Sequence, residues 1–417
     1  VKKRKEKKKM ARKILSPLAS LGLEHRIVMA PLTRLRGDKD TLAPGPDVVT
    51  YYTQRASKGG LLITEASPIS PETPYETACG IFTPQQEAGW SKVCDAIHKK
   101  GAKISLQLWH LGRLSHKIWG THPLLSSLGR PLGSVSSSEV ETKGHARDWE
   151  GNIVQYTTPR ALTEEELEKR LPNDYKLAAE AAKRAGFDFV EVHAAHGYLM
   201  DQFFCDSVNK RTDKFGAQNF ENRTRLFRSV LKQVIDVMGE GRVGVRLSPT
   251  YKDSINYYST TDSNSEKLYR EIVEHLNNYP LAYLLLSEPR WNGGKKNTHP
   301  ATDPTYALPL RNTWARDIYK GTLIGCSSFT PETAEKAIQE GHYDAVAFGR
   351  FFISNPNLKE KIEKKEKLTV FNTSTFYTRG DKGYIDYPGA EGESGEKWGN
   401  YEVISWEDIG KKKKAKL

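Results

Sequence analysis

Two histidines three residues apart, followed two residues later by a tyrosine, close an apolar run in FVEVHAAHGYLMDQF: His193, His196 and Tyr198. This spacing gathers three polar side chains at one point of the chain. Three chemistries are open to them. A metal pair lacks a third ligand at zinc-like spacing, so no metal is expected. A purely structural pair is the bland alternative. Two neutral imidazole N–H groups aimed at one substrate oxygen, with a phenol beside them, is the more productive reading.

A second group lies near the C-terminus of the body, in GCSSFTPE (325–332) and FGRFFISNP (348–356). Ser327, Ser328 and Gly349 are small enough to leave backbone N–H groups accessible. Thr330-Pro331 opens a helix, and Arg350 adds a fixed positive charge, the makings of a phosphate site. The competing reading pairs Arg350 with a surface carboxylate. Arg246, inside VGVRLSP (243–249), needs a polar or anionic partner, because a lone buried guanidinium is costly. Together these groups describe a phosphorylated cofactor with an electron-poor ring. No Lys ends the sixth apolar run, which disfavours a Schiff-base aldolase, and no G-x-G-x-x-G follows a strand.

Positioning these residues requires a frame. Eight short, β-rich runs recur: Ile27–Leu32, Gly60–Ala66, Lys103–Leu108, Phe187–Ala194, Val243–Ser248, Ala282–Glu288, Gly321–Cys326 and Tyr343–Arg350. Several are apolar almost throughout, as strands buried on both faces must be. Amphipathic segments follow them: Pro46–Ser57, Pro84–Lys100, Thr163–Ala185, Asn219–Met238, Ser265–Asn278, Pro304–Tyr319, Pro331–Glu340 and Pro356–Lys367. Thr163 with Glu166 reads as a capping box, and Gly101, Gly186 and Gly341 stand where helices should stop. Strand–helix alternation repeated eight times predicts an α/β fold, a single parallel (β/α)8 barrel, with an open doubly wound sheet as the rival.

The polar residues at strand C-termini then share one face: Thr33, Glu65, Gln107, His193, His196, Arg246 and the Gly349-Arg350 pair. The third connection, Trp109 to Leu162, is abnormally long and is expected to form a lid over this face, with a hairpin near Gly144–Thr158.

Composition bounds the rest. With 37% hydrophobic residues and 14 Phe, 8 Trp and 19 Tyr among 417 residues, wholesale disorder is excluded. No apolar stretch is long enough to span a membrane as a helix, and the charged N-terminus does not read as a secretory signal. Four scattered cysteines argue against disulfides and iron–sulfur ligation. The net charge of +12 is concentrated in two tails: residues 1–13 carry nine Lys/Arg against one Glu, and residues 411–417 carry five Lys. The near-neutral body does not suggest a nucleic-acid face. Residues 1–13 are expected to be a mobile tail, 14–390 the barrel with 109–162 as its lid, and 391–417 a C-terminal extension. The last three residues, Ala415-Lys416-Leu417, resemble the S-K-L peroxisomal address, which implies a peroxisomal import receptor as partner and, failing that, a cytoplasmic enzyme.

The residues resemble the Old Yellow Enzyme flavoproteins, and among them the 12-oxophytodienoate reductases. The likeness is carried by RIVMAPLTRLR (26–36), LLITEAS (61–67), SLQLWHLGR (105–113), PRALTEEEL (159–167), the long block 186–226 with its NKRTDKFG and ENR runs, VGVRLSP, FGRFFISNPNL (348–358) and TFYTRGDKGYIDYP (375–388).

The resemblance implies FMN, with NADPH or NADH as reductant, and enones or enals as substrates. It implies that Thr33 bonds the flavin C4 carbonyl. Pro31, Ala66 and Gln107 would line the ring, and Arg246 would stand beside N1 and the C2 carbonyl. Gly349 and Arg350 would hold the phosphate. His193 and His196 would bind the substrate carbonyl, and Tyr198 would donate the proton after hydride transfer through flavin N5 in a ping-pong cycle. Trp109, Phe351 and Tyr377 would shape the cavity. The His/His pair matches the 12-oxophytodienoate reductases rather than the His/Asn of yeast-type enzymes. Ser327 and Ser328 depart from the glycine usual in the family. The alternative function is a flavin-free, phosphate-binding barrel lyase or isomerase. A dienoyl-CoA-reductase-type enzyme would need a cysteine cluster and a further nucleotide domain, for which residues 390–417 leave no room.

Overall fold

The computed structural model describes residues 12–72, 74–129, 133–251, 258–290, 298–389 and 401–411. Ala415-Lys416-Leu417, most of the N-terminal basic run and residues 391–400 lie outside the described residues.

Eight parallel strands close on themselves: β1 (Ile27–Met29), β2 (Leu61–Pro68), β3 (Lys103–Trp109), β4 (Phe189–His193), β5 (Val243–Leu247), β6 (Tyr283–Ser287), β7 (Leu323–Cys326) and β8 (Ala345–Phe348). β8 pairs with β1 through Ile27↔Val346 to Met29↔Phe348, which completes the ring. The strands are short and buried along nearly their whole length, because the barrel's own interior covers one face and the helices the other. The interior cluster includes Val28, Ile63, Phe189, Leu285, Ile324 and Ala345, and Leu18, Leu21 and Leu23 join it from the chain that precedes β1. The larger cluster fills the space between strands and helices.

The helices that follow the strands are α1 (Pro46–Arg55), α2 (Pro84–Lys99), α3 (Leu171–Ala185), α4 (Phe220–Met238), α5 (Ser265–His275), α6 (Ala315–Ile318), α7 (Pro331–Gln339) and α8 (Leu358–Lys364). Thr163 and Glu166 do form reciprocal bonds of 2.8 and 3.2 Å at the turn leading to α3. Thr330 caps α7 ahead of Pro331. Gly101, Gly186 and Gly341 have φ of +71°, +97° and +77°, the left-handed region in which glycine ends a helix without a Cβ penalty. One expectation fails. The helix expected over Pro304–Tyr319 is a 3-10 turn at Pro304–Ala307 and the single-turn α6. Pro309 in mid-segment removes a donor and forces Leu308 out of the helical region, to ψ 144°.

The insertion after β3 holds short helical turns, the antiparallel hairpin His145–Arg147 with Ile153–Gln155, and a two-residue pairing of Val135–Ser136 with Arg160–Ala161. Its root is fastened by Gln202, whose carbonyl oxygen takes Arg113 N–H and Ser136 Oγ–H at 3.1 and 2.9 Å. Residues 371–389 cross the C-terminal end of the ring. Arg34 donates to the Phe376 and Gly383 carbonyls at 3.0 and 2.7 Å, which ties this strap to the end of β1. Val403–Ile404 return to pair with Leu368–Thr369.

Candidate active site

The strand ends of the C-terminal face enclose one cavity. Its wall contains Pro31 and Thr33 after β1, Ala66 on β2, Gln107 and Trp109 on β3, His193, His196 and Tyr198 at the end of β4, and Arg246 on β5. Ser327 and Ser328 after β7, Gly349, Arg350 and Phe351 after β8, and Tyr377 of the strap complete the set that the sequence singled out. These fifteen are therefore brought together, whereas Glu65, the other polar strand-end residue, is buried against the Arg34 N–H and does not line the cavity.

The β4 turn gives the site its shape. His193 ends the strand and is buried, and its ring lies 5.3 Å from that of His196 and 5.0 Å from that of Tyr198. His196 has φ +59°, a left-handed conformation that histidine adopts more readily than most residues. It is pinned by serines on two neighbouring strands. Its backbone N–H donates to Ser248 Oγ at 2.7 Å, and its Nε2 lies 3.1 Å from Ser287 Oγ. Asp201 takes the Gly197 N–H at 2.8 Å, and the Gln202 amide donates to the Gly197 carbonyl at 2.8 Å, so the turn cannot open without breaking buried bonds. Trp109 stands edge-on to Tyr198 at 4.9 Å, and the ring of Tyr258 lies 6.2 Å from that of Tyr198.

Burial and then the charge of Arg246 hold both imidazoles well below their ordinary pKa. Both rings are therefore neutral at pH 7, each with one N–H to give. Burial, reinforced by surrounding phenols, raises Tyr198 well above its ordinary value, so it keeps its proton.

On the opposite side, Arg350 donates to Asp303 at 2.6 Å and to Ser328 Oγ at 2.9 Å, and its guanidinium faces the rings of Tyr306 and Phe371 at 4.8 and 5.2 Å. The carboxylate partner is buried, not on the surface. Ser327 and Ser328 have φ of +85° and +51°. This left-handed backbone is one that the missing glycine would have adopted more cheaply.

The donor set fits FMN. Arg246 is buried and has no carboxylate within ion-pair distance among the described residues; its side-chain contacts there are Ser287 Oγ at 3.2 Å and Cys326 Sγ at 3.8 Å. A buried cation so placed calls for an anionic or carbonyl-bearing ligand. Trp109 Nε1 and His193 Nδ1 are also buried without a partner. The arginine and serines at the far end supply a cradle for a phosphate.

Sequence reasoning missed several wall residues. Cys326 is a strand-end residue that the same rule could have flagged, as is Ser287, which stands behind the wall against His196 and Arg246. Tyr75 and Tyr258 come from loops and Tyr306 from the turn that Asp303 opens, where periodicity places nothing. The long insertion contributes Trp109 at its root; Trp119 backs Tyr75, with rings 4.8 Å apart.

A closed parallel barrel whose C-terminal mouth gathers Arg246, Arg350 and two imidazoles suits a flavin-binding oxidoreductase. Residues 17–369 match the NADH:flavin oxidoreductase / NADH oxidase family. The chain is 38% identical over 383 residues to a putative 12-oxophytodienoate reductase of Oryza sativa subsp. japonica, covering 90% of this chain and 97% of the relative. It superposes on the old yellow enzyme homologue from Zymomonas mobilis with TM-score 0.78 at 35% identity, over 90% and 99% of the two chains. On morphinone reductase the TM-score is 0.77 at 38% identity, over 90% and 96%. That reductase has also been solved in complex with tetrahydroNAD. The chain belongs to this family, in its Old Yellow Enzyme branch, and is an oxidoreductase with FMN as cofactor and a nicotinamide as reductant. No helix among the described residues is long and apolar enough to cross a membrane.

Proposed function

We propose that the protein reduces the C=C bond of α,β-unsaturated ketones and aldehydes in a two-step, ping-pong cycle. The observation that carries this reading is the convergence of two imidazoles and a phenol, the rings of His196 and Tyr198 lying 5.3 and 5.0 Å from that of His193. Pro31, Thr33, Ala66 and Gln107 would line the ring of bound FMN, Arg246 would support negative charge on it, and Gly349, Arg350, Ser327 and Ser328 would hold its phosphate. The group would supply the hydride chemistry that couples the nicotinamide to the alkene.

His193 and His196 grip the carbonyl oxygen of the alkene substrate. Their N–H groups stabilise the enolate charge that develops there; one such donor is commonly worth about 10²–10³ in rate. Neutral imidazoles suit this role, because they donate without needing to titrate. Tyr198 delivers a proton to the α-carbon, and its raised pKa keeps that proton available throughout the neutral range. Trp109, Phe351 and Tyr377 shape the cavity around the substrate.

The test is a visible spectrum of the purified protein, followed by anaerobic mixing with a nicotinamide and 2-cyclohexenone. The expected result is a yellow protein that forms cyclohexanone in step with nicotinamide oxidation. A colourless protein that cannot take up FMN would end this reading.

We also propose import into peroxisomes through Ala415-Lys416-Leu417. A reporter carrying residues 405–417 should become punctate; a diffuse signal would count against it.

A further inference from the structure

Gln107 does not face the cavity alone. In register across the barrel, Gln107 on β3 pairs with Glu191 on β4, Glu191 with Gly244 on β5, and Gly244 with Tyr283 on β6. The glycine leaves a gap in this row. A Cβ at position 244 would collide with the Tyr283 ring, so the absence of a side chain there lets the tyrosine reach across to Glu191. The result is a buried polar row: Gln107 Nε2 donates to Glu191 Oε1 at 2.6 Å, the other carboxyl oxygen, Oε2, has no hydrogen-bond partner among the described residues, and Ser105 Oγ lies 3.0 Å from the hydroxyl of Tyr283, which stands beside the carboxyl. Glu191 and Ser105 are 0% exposed. Glu191 does not line the cavity, so it acts only through what it touches.

We propose that Glu191 is a positioning residue that fixes the side-chain amide of Gln107, turning its N–H2 into the barrel and its carbonyl oxygen toward the cofactor. This rests on the FMN-facing role given to Gln107 above. An amide held by one N–H cannot flip, so its oxygen keeps one place. With Nε2 committed to Glu191, Gln107 offers an acceptor. The pyrimidine edge of a flavin carries one N–H, at N3, between two carbonyls, so a fixed acceptor matches that N–H and a flipped amide would oppose it. The carboxyl can serve in either protonation state. Burial raises its pKa, and a neutral acid still accepts from Gln107 on its carbonyl oxygen with the proton carried by Oε2. The charge of Arg246 acts in the opposite sense.

The experiment is FMN binding to apoprotein, followed by fluorescence quenching, in a cycle of E191L, E191Q, Q107A and E191L/Q107A. E191L should weaken FMN by about fivefold or more, the worth of one net hydrogen bond. E191Q keeps an acceptor and should stay within about twofold of wild type. In the Q107A background E191L should have almost no further effect, because the amide it positions is gone. A full, additive loss in that background would mean a merely structural role and would overturn the proposal. An unchanged FMN affinity in Q107A would overturn it differently, by removing the contact on which it rests. Should E191L fail to fold, the N3–H proton of [15N]FMN bound to wild type decides. A downfield, exchange-protected resonance supports a fixed acceptor, and an upfield, freely exchanging one refutes it.

Discussion

His196 Nε2 lies 3.1 Å from the hydroxyl oxygen of Ser287, and the same oxygen takes the Nε–H of Arg246 at 3.2 Å. One hydroxyl therefore joins the imidazole assigned to the substrate carbonyl to the cation assigned to the cofactor. With Arg246 occupying one lone pair, the Ser287 proton is available to His196, whose ring is thereby oriented from behind. Ser287→Ala should lower kcat/KM for enone reduction by about three- to tenfold, the value of one buried hydrogen bond, while nicotinamide oxidation changes less. Stopped-flow measurement of the two half-reactions separates the effects; equal losses in both would refute this coupling.

Phosphate recognition can be separated from ring recognition. Arg350 lies against Ser328, and buried Asp303 holds it in place. Arg350→Ala should weaken FMN binding to apoprotein by about 10- to 150-fold, as expected for a charge-assisted bond, and should leave riboflavin binding nearly unchanged. Parallel loss of both flavins in a fluorescence titration would place the phosphate elsewhere.

The pH dependence follows from the direction of three shifts. His193 and His196 sit well below their ordinary value of 6.5 and Tyr198 well above its ordinary 10.0, so none of them changes protonation between those limits. Reoxidation of reduced enzyme by an enone should be flat from about pH 6.5 to about pH 10. An inflection near neutrality that disappears on replacing either histidine would contradict the neutral-donor assignment.

By the same linkage as His193 and His196, a third buried histidine should add to acid sensitivity. His25 is buried beside Ser57, with burial lowering its pKa from 6.5 to about 4. Unfolded chain binds a proton that the folded protein refuses, so the contribution of this group to stability is complete above pH 6.5 and is lost as pH falls toward about 4. His25→Gln should lose up to about 3 kcal/mol less than wild type between pH 7 and pH 4 in urea titrations. Identical acid sensitivity in the two proteins would dismiss His25.

Most of the frame was legible in the sequence because a parallel barrel buries both faces of every strand. Runs such as YLLL and AVAF have no other comfortable place, and a polar residue at such a run's end must sit at the mouth. The same logic placed Arg246 and Gln107 correctly before any geometry was known. What escaped were partnerships between elements distant in sequence. Asp303 reaches Arg350 from a loop whose conformation depends on Pro304 and Pro309, not on periodicity. Likewise, Tyr258 lies in a left-handed stretch after β5. Glu191 read as one more strand residue, because only the register across β3 to β6 reveals that Gly244 opens a path to Tyr283. The failed helix at Pro304–Tyr319 has the same origin: a local rule, proline in mid-segment, outweighed an amphipathic pattern.

The central claim is that His193 and His196 together hold the oxygen of a conjugated carbonyl while hydride is delivered. Its most direct measurement is the anaerobic reoxidation of reduced holoenzyme by 2-cyclohexenone, wild type against His193→Ala/His196→Ala. The account predicts a fall of at least about 10²–10³ in that rate with FMN still bound. A double variant that retains FMN and reoxidises as fast as wild type would contradict it.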